Sequence, residues 1–158
     1  MTPYEIIVSF FTCVALIISV LAYLKASTSA TRANEIALGN IELYISERIT
    51  ATKEKVSDIY LKMAPLAFKD DRDEQDEKLF AAYVMAYNAA IENNLNAYED
   101  ACSKFLDNKV DRLRFEKSYK TEIRQLVENE ELKSYFDGVT SKYKAILKVY
   151  NNWENLEK

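Results

Sequence analysis

The chain has 158 residues with 21 Lys or Arg, 25 Asp or Glu, no His, two Gly, two Pro and two Cys, and a net charge of −4. Without histidine there is no Ser-His-Asp or Cys-His relay and no imidazole metal ligand, and two glycines cannot build a phosphate-cradling or dinucleotide loop. The acidic balance argues against nucleic-acid binding by the whole surface, so any anion site must be a local patch.

In chain order, the first signal is Ile6 to Leu24, uncharged between Glu5 and Lys25. At ~1.5 Å per residue it is long enough for one hydrocarbon core, and MTPYE lacks the basic start of a cleaved signal peptide. The expectation is a single transmembrane helix within residues 1–25 and a cytosolic domain over 26–158. Lys25 and Arg32 follow the span and no base precedes it, which places the N-terminus outside a bacterial inner membrane. Tyr4 and Tyr23 suit the two interfaces. Ser9, Thr12 and Ser19 lie on one weakly polar stripe, either a face for self-association or pore lining, or hydroxyls bonded back to their own helix. Cys13 and Cys102 fall in different parts of the chain and are not expected to pair, in keeping with a reducing compartment.

Ala33, Ala37, Ile41, Ile45, Arg48, Thr52, Val56, Ile59 and Met63 keep a three-or-four spacing that predicts a long amphipathic helix, relaxed near Ser27 to Thr31 and ended by Pro65. The charged run Lys69 to Lys78 reads as a solvated loop entering an acidic first helical turn. As a calcium loop counted from Asp71 it fails, with Asp76 where glycine is needed and Ala82 where glutamate is needed. A second helix is predicted over Glu74 to Leu106, burying Tyr83, Tyr87, Ile91, Leu95, Tyr98, Cys102 and Phe105. Its Asn93, Asn94 and Asn96 are poor helix formers, suited either to adenine edges or to hydrogen bonds with buried tyrosines.

Asp107-Asn108-Lys109 predicts a turn, and Asp111 the cap of a third helix reaching about Asn129. Phe115, Tyr119, Ile123, Leu126 and Val127 form its apolar stripe, with Arg114, Lys117, Lys120 and Arg124 on the opposite side. This is the best anion patch in the chain, although Glu116 and Glu122 can pair with it. After Asp137-Gly138, Thr140 is expected to open a last helix carrying Tyr143, Ile146, Leu147, Tyr150, Trp153 and Leu156. With no useful strand alternation, the predicted fold is all-α: a membrane helix followed by a bundle of about four helices.

Catalysis is not expected, because Glu92 and Glu99 form the sole candidate carboxylate pair and project from one helix without a matching pair elsewhere. No metal or cofactor is implied. The stretches Asn93 to Glu99 (NNLNAYE) and Asn108 to Phe115 (NKVDRLRF), within this arrangement of one span and a small helical domain, resemble the small membrane-anchored ancillary effectors of type III CRISPR antiviral systems. The resemblance implies binding of cyclic tetra-adenylate by a homo-oligomer, suspected to be a tetramer, and perturbation of the inner membrane during phage infection. It would take a cyclic oligoadenylate rather than a long nucleic acid. The residues suited to its phosphates are Arg112, Arg114, Lys117, Lys120 and Arg124, and those suited to its bases are Asn93, Asn94, Tyr98 and Tyr119. The rival expectation is a membrane tether or scaffold that docks a cytoplasmic protein.

Overall fold

The computed structural model describes the backbone of residues 3–155 and the side chains of these residues other than 5–14. The elements are α1 (Pro3–Ala67), α2 (Glu74–Leu106), α3 (Arg112–Glu128), a 3₁₀ segment (Glu130–Phe136) and α4 (Lys144–Asn155). Among the described residues the regular structure is all helical, with no strand. It divides into two compact units, Met1–Asn40 and Ile41–Lys158.

The expected membrane helix, and with it the single-pass placement in an inner membrane, is corrected. Among the described residues no helix is long and apolar enough to cross a membrane. Residues 15–24 are the part of the apolar run Ile6 to Leu24 whose side chains are described, and these side chains are exposed. Beyond them the helix continues into Lys25 and a polar sequence. Ser9 and Thr12 lie outside the described side chains. Ser19 is described, and its hydroxyl donates to the Ala15 carbonyl at 2.8 Å, the back-bonded alternative for that stripe. Thr28 and Thr31 do the same to Leu24 and Ser27, so the stretch expected to relax is helical.

Pro65 does not end α1, which runs on to Ala67. Lying in the last turn, Pro65 withholds only one amide donor, a loss that a helix end tolerates. From Ile41 onward the sequence stripe is the less exposed face, and Ile45 and Ile49 are fully buried.

Asp73 caps α2 by accepting from the Asp76 amide at 2.8 Å. Its C-terminus is a Schellman turn: Asn108 takes φ 57°, its N–H donates to the Phe105 carbonyl, and Lys109 N–H donates to Lys104. Asp111 then caps α3, accepting from Arg114 N–H at 2.9 Å. Asn129 closes α3 and caps the 3₁₀ segment through Glu131 N–H.

The last helix begins at Lys144 rather than Thr140, because its N-terminal donors are met from a distance. Glu99 of α2 accepts from Ala145 N–H at 2.8 Å and Ile146 N–H at 3.0 Å, placing a carboxylate on the positive end of α4. Ser141 accepts from Tyr143 N–H.

The core joins Leu95, Cys102 and Phe105 of α2 to Phe115 and Ile123 of α3 and to Ile146, Val149 and Trp153 of α4. Phe105 stacks on Phe115 with ring centres 5.0 Å apart, and Trp153 meets Phe105 edge-on at 5.5 Å. Trp153 is therefore a packed anchor rather than a stacking platform open to ligand. Burial pushes the Cys102 thiol far above its ordinary range, so it acts as a small apolar core residue. Leu156 lies outside the described residues.

Candidate functional site

The side chains that join α1 to the other helices in Ile41–Lys158 are mostly polar, and the candidate residues lie among them. Thr52 bonds back to the Arg48 and Ile49 carbonyls and receives the Asn94 side-chain amide at 2.9 Å. Arg48 reaches Asp100 at 2.9 Å. Glu122 of α3 is the hub of a three-helix junction, accepting from the Tyr98 hydroxyl at 2.5 Å and from the Lys53 ammonium at 2.7 Å. Burial, reinforced by the Glu122 carboxylate, holds the Tyr98 phenol far above its ordinary range, so it remains a donor.

At the start of α3, Glu42 of α1 accepts from the backbone N–H of Asp111 at 2.9 Å and from the Arg114 guanidinium at 3.2 Å. This carboxylate sits where a helix N-terminus favours an anion. Beside it, Glu42, Ile45 and Ser46 of α1 face Arg114, Phe115, Lys117, Ser118 and Tyr119 of α3 across an open groove of about 500 Å³. Arg114 is 64 % exposed and its other carboxylate neighbour, Asp111, stands 3.9 Å away, leaving guanidinium donors for a ligand. Lys117 is exposed and has no ion-pair partner among the described residues.

The remaining expected phosphate residues are engaged elsewhere. Arg112 lies over the Phe105 ring at 4.5 Å and donates to the Asn108 side-chain carbonyl at 2.8 Å. Lys120 pairs with Glu116 at 3.4 Å. Arg124 grips Glu154 of α4 through Nε at 2.9 Å and Nη2 at 2.6 Å. A helical-wheel reading groups these cations by angle, but it cannot register that two carboxylates, Glu42 and Glu154, arrive from other helices.

The expected base residues also separate. Asn94 and Tyr98 are buried and hydrogen-bonded, but the expected amide-to-tyrosine bond is not what they make: Asn94 donates to the Thr52 hydroxyl and Tyr98 to the Glu122 carboxylate. Asn93 is exposed on α2 and lines a different surface hollow, with Met85 and Asn96. Tyr119 lines the groove itself, its ring 4.9 Å from Phe115 and edge-on to Tyr98 at 6.5 Å. Burial raises its phenol, with Ser46 acting in the opposite direction. The structure thus brings Arg114, Lys117 and Tyr119 together and adds Ser46 and Ser118, which the sequence reading did not single out. Their serine hydroxyls carried no periodic signal.

Glu92 and Glu99 do not form a carboxylate pair for chemistry. Glu99 caps α4, and Glu92 pairs with Lys142 at 3.0 Å. Among the described residues no cluster of three or more acidic or cysteine side chains has the geometry to hold a metal ion. Comparison with protein-family profiles, curated proteins and solved structures finds no match.

Proposed function

We propose that the chain is a non-catalytic recognition protein whose groove between α1 and α3 takes a phosphate-bearing ligand. The observation that carries this reading is that one groove is lined both by Arg114, which the Glu42 carboxylate meets at 3.2 Å, and by Lys117, which has no ion-pair partner among the described residues. A phosphate would meet the same guanidinium and add the Lys117 ammonium and the Ser118 hydroxyl, exchanging one oxyanion for another of higher charge. The cavity volume of about 500 Å³ falls in the range of small-molecule sites. The sequence resemblance makes cyclic tetra-adenylate the first ligand to try, with a homo-oligomer meeting its four phosphates from symmetry-related grooves and coupling binding to an antiviral response. A scaffold that docks a protein partner remains the second reading, favoured by the 81 % exposure of Leu113 beside the groove.

The test is titration calorimetry of the full chain with cyclic tri-, tetra- and hexa-adenylate and with inorganic phosphate, alongside light scattering for mass. Saturable binding should weaken about tenfold in Lys117→Ala, the size of a lost charge-assisted contact. In Glu42→Gln it should tighten, because the competing carboxylate is gone. These opposite signs are not produced by general damage to the fold. If none of these ligands saturates, the phosphate reading fails and the scaffold becomes the better account.

A further inference from the structure

A second cavity lies farther along α1, where it faces α2. Lys53, Val56, Ser57 and Tyr60 form one wall, with Tyr87 and Asn94 opposite, around an open hollow of about 360 Å³. Half of these residues, Val56, Tyr60 and Tyr87, are apolar or aromatic and half, Lys53, Ser57 and Asn94, are polar, so apolar surface and hydrogen-bonding groups converge as they do at small-molecule sites. The rings of Tyr60 and Tyr87 are 6.2 Å apart and inclined at 47°, a touching aromatic pair that a flat ligand can meet from its open side and not enter between. Burial, followed by the charge of Glu131, raises the Tyr87 phenol, so that wall stays neutral.

The polar groups narrow the ligand further. Asn94 is 8 % exposed and its amide nitrogen is committed to Thr52 at 2.9 Å, which fixes the group and leaves its carbonyl oxygen as an acceptor. The Lys53 ammonium is compensated by Glu122 at 2.7 Å, so it supplies donors without net charge at that wall. Ser57 adds a hydroxyl. A smaller cavity of about 200 Å³ shares Lys53 and Asn94 and extends the lining to Gln125 and Asn129, two more carboxamides.

We propose that this α1–α2 cleft is a binding site for an uncharged, flat heteroaromatic ring carrying a hydrogen-bond donor and an acceptor on its edge. The rings of Tyr60 and Tyr87 receive its face, and Asn94, Ser57 and Lys53 meet its edge. Nucleobase and nicotinamide chemistry share this description. The net-neutral wall selects against charged rings, and the inclined tyrosines against bulky aliphatic ligands. The site does not depend on the phosphate groove, because none of its lining residues is shared with that groove.

The experiment is titration of the full chain with adenosine and, separately, with nicotinamide, with inorganic phosphate as the probe of the other groove. At least one of the two aromatic probes should bind saturably at one per chain. Affinity should fall about tenfold or more in Tyr60→Ala and in Tyr87→Ala, the scale of a lost stacking contact, and hold in Tyr87→Phe. Ser57→Leu, an exposed substitution that fills the cleft while keeping both rings, should also abolish binding at unchanged helicity. Lys117→Ala should leave it intact. Saturation by neither probe, or wild-type affinity in Tyr60→Ala and Ser57→Leu, would overturn the proposal whatever phosphate does.

Discussion

The contacts among α2, α3 and α4 and those attaching α1 to them use different chemistry. Among the three shorter helices the contact has a dry centre, with Leu95, Cys102, Ile123, Ile146 and Val149 fully or nearly fully buried and the rings of Phe105 and Phe115 packed on Trp153, while Arg124 with Glu154 and the Glu99 cap lie at its margin. Against α1 it is largely polar, with Ile45 and Ile49 the two fully buried apolar side chains among the described residues of that helix. Around them stand Glu42 with Arg114, Arg48 with Asp100, Thr52 with Asn94, and Lys53 with Glu122. Dry packing is sensitive to volume and indifferent to salt, whereas half-exposed ion pairs contribute little each and weaken with ionic strength. Both cavities proposed to bind ligand lie on the polar side.

The sharpest way to break this contrast is to cut the core. Trp153→Ala should destabilise the chain by about 3–5 kcal/mol, measured by denaturant unfolding, since it removes a buried aromatic and leaves a cavity. Glu99→Ala comes next, at about 1–2 kcal/mol, because two N-terminal donors of α4 lose their acceptor. A cost near zero would mean that water replaces the carboxylate and that α4 is held by Ile146 and Trp153 alone.

Tyr98→Phe probes the junction and carries a pH signature. Burial and Glu122 raise the phenol's pKa in the folded chain above the ordinary value of 10.0. A raised pKa contributes stability that is fully present below the unfolded value and is lost as pH rises toward the folded one. Wild-type stability should therefore decline above about pH 10, and Tyr98→Phe should flatten that decline by up to one proton, about 1.4 kcal/mol per pH unit. Equal slopes would place the ionising tyrosines elsewhere. The smallest effect belongs to the attachment itself: a double-mutant cycle of Lys53→Met with Glu122→Gln should give a coupling of about 0.2–1 kcal/mol that shrinks with added salt. A coupling insensitive to salt would make the attachment resemble the core.

Much of the helical layout was legible because its signals are local. Asp111 announces the start of α3, the spacing of Leu95, Tyr98, Cys102 and Phe105 marks the inner face of α2, although Tyr83, Tyr87 and Ile91 of the same expected stripe are only half-buried, and Asp107-Asn108 supplies the turn between them. The start of α4 was misplaced because its cap, Glu99, lies on another helix, and the 3₁₀ segment at Glu130–Phe136 is too short for a periodic signal. Local apolarity misled at Ile6 to Leu24: among the described residues the helix fails the length and apolarity that crossing a membrane requires. For the ligand groove, the sequence could group Arg114 with Lys117 on one helical face. It could not show that Glu42 arrives from α1 or that Arg124 is held by Glu154, because those pairings span 72 and 30 residues.

The most direct test of the account is hydrogen exchange of the full chain, followed residue by residue with and without cyclic tetra-adenylate. In the free protein the amides of residues 42–60 should exchange by local opening ahead of those in Leu95 to Phe105, and faster still at higher salt. Ligand should slow residues 42–60 and the first turns of α3 while leaving α4 unchanged. Uniform protection across all four helices, indifferent to salt and ligand, would contradict both the polar attachment of α1 and the phosphate groove beside it.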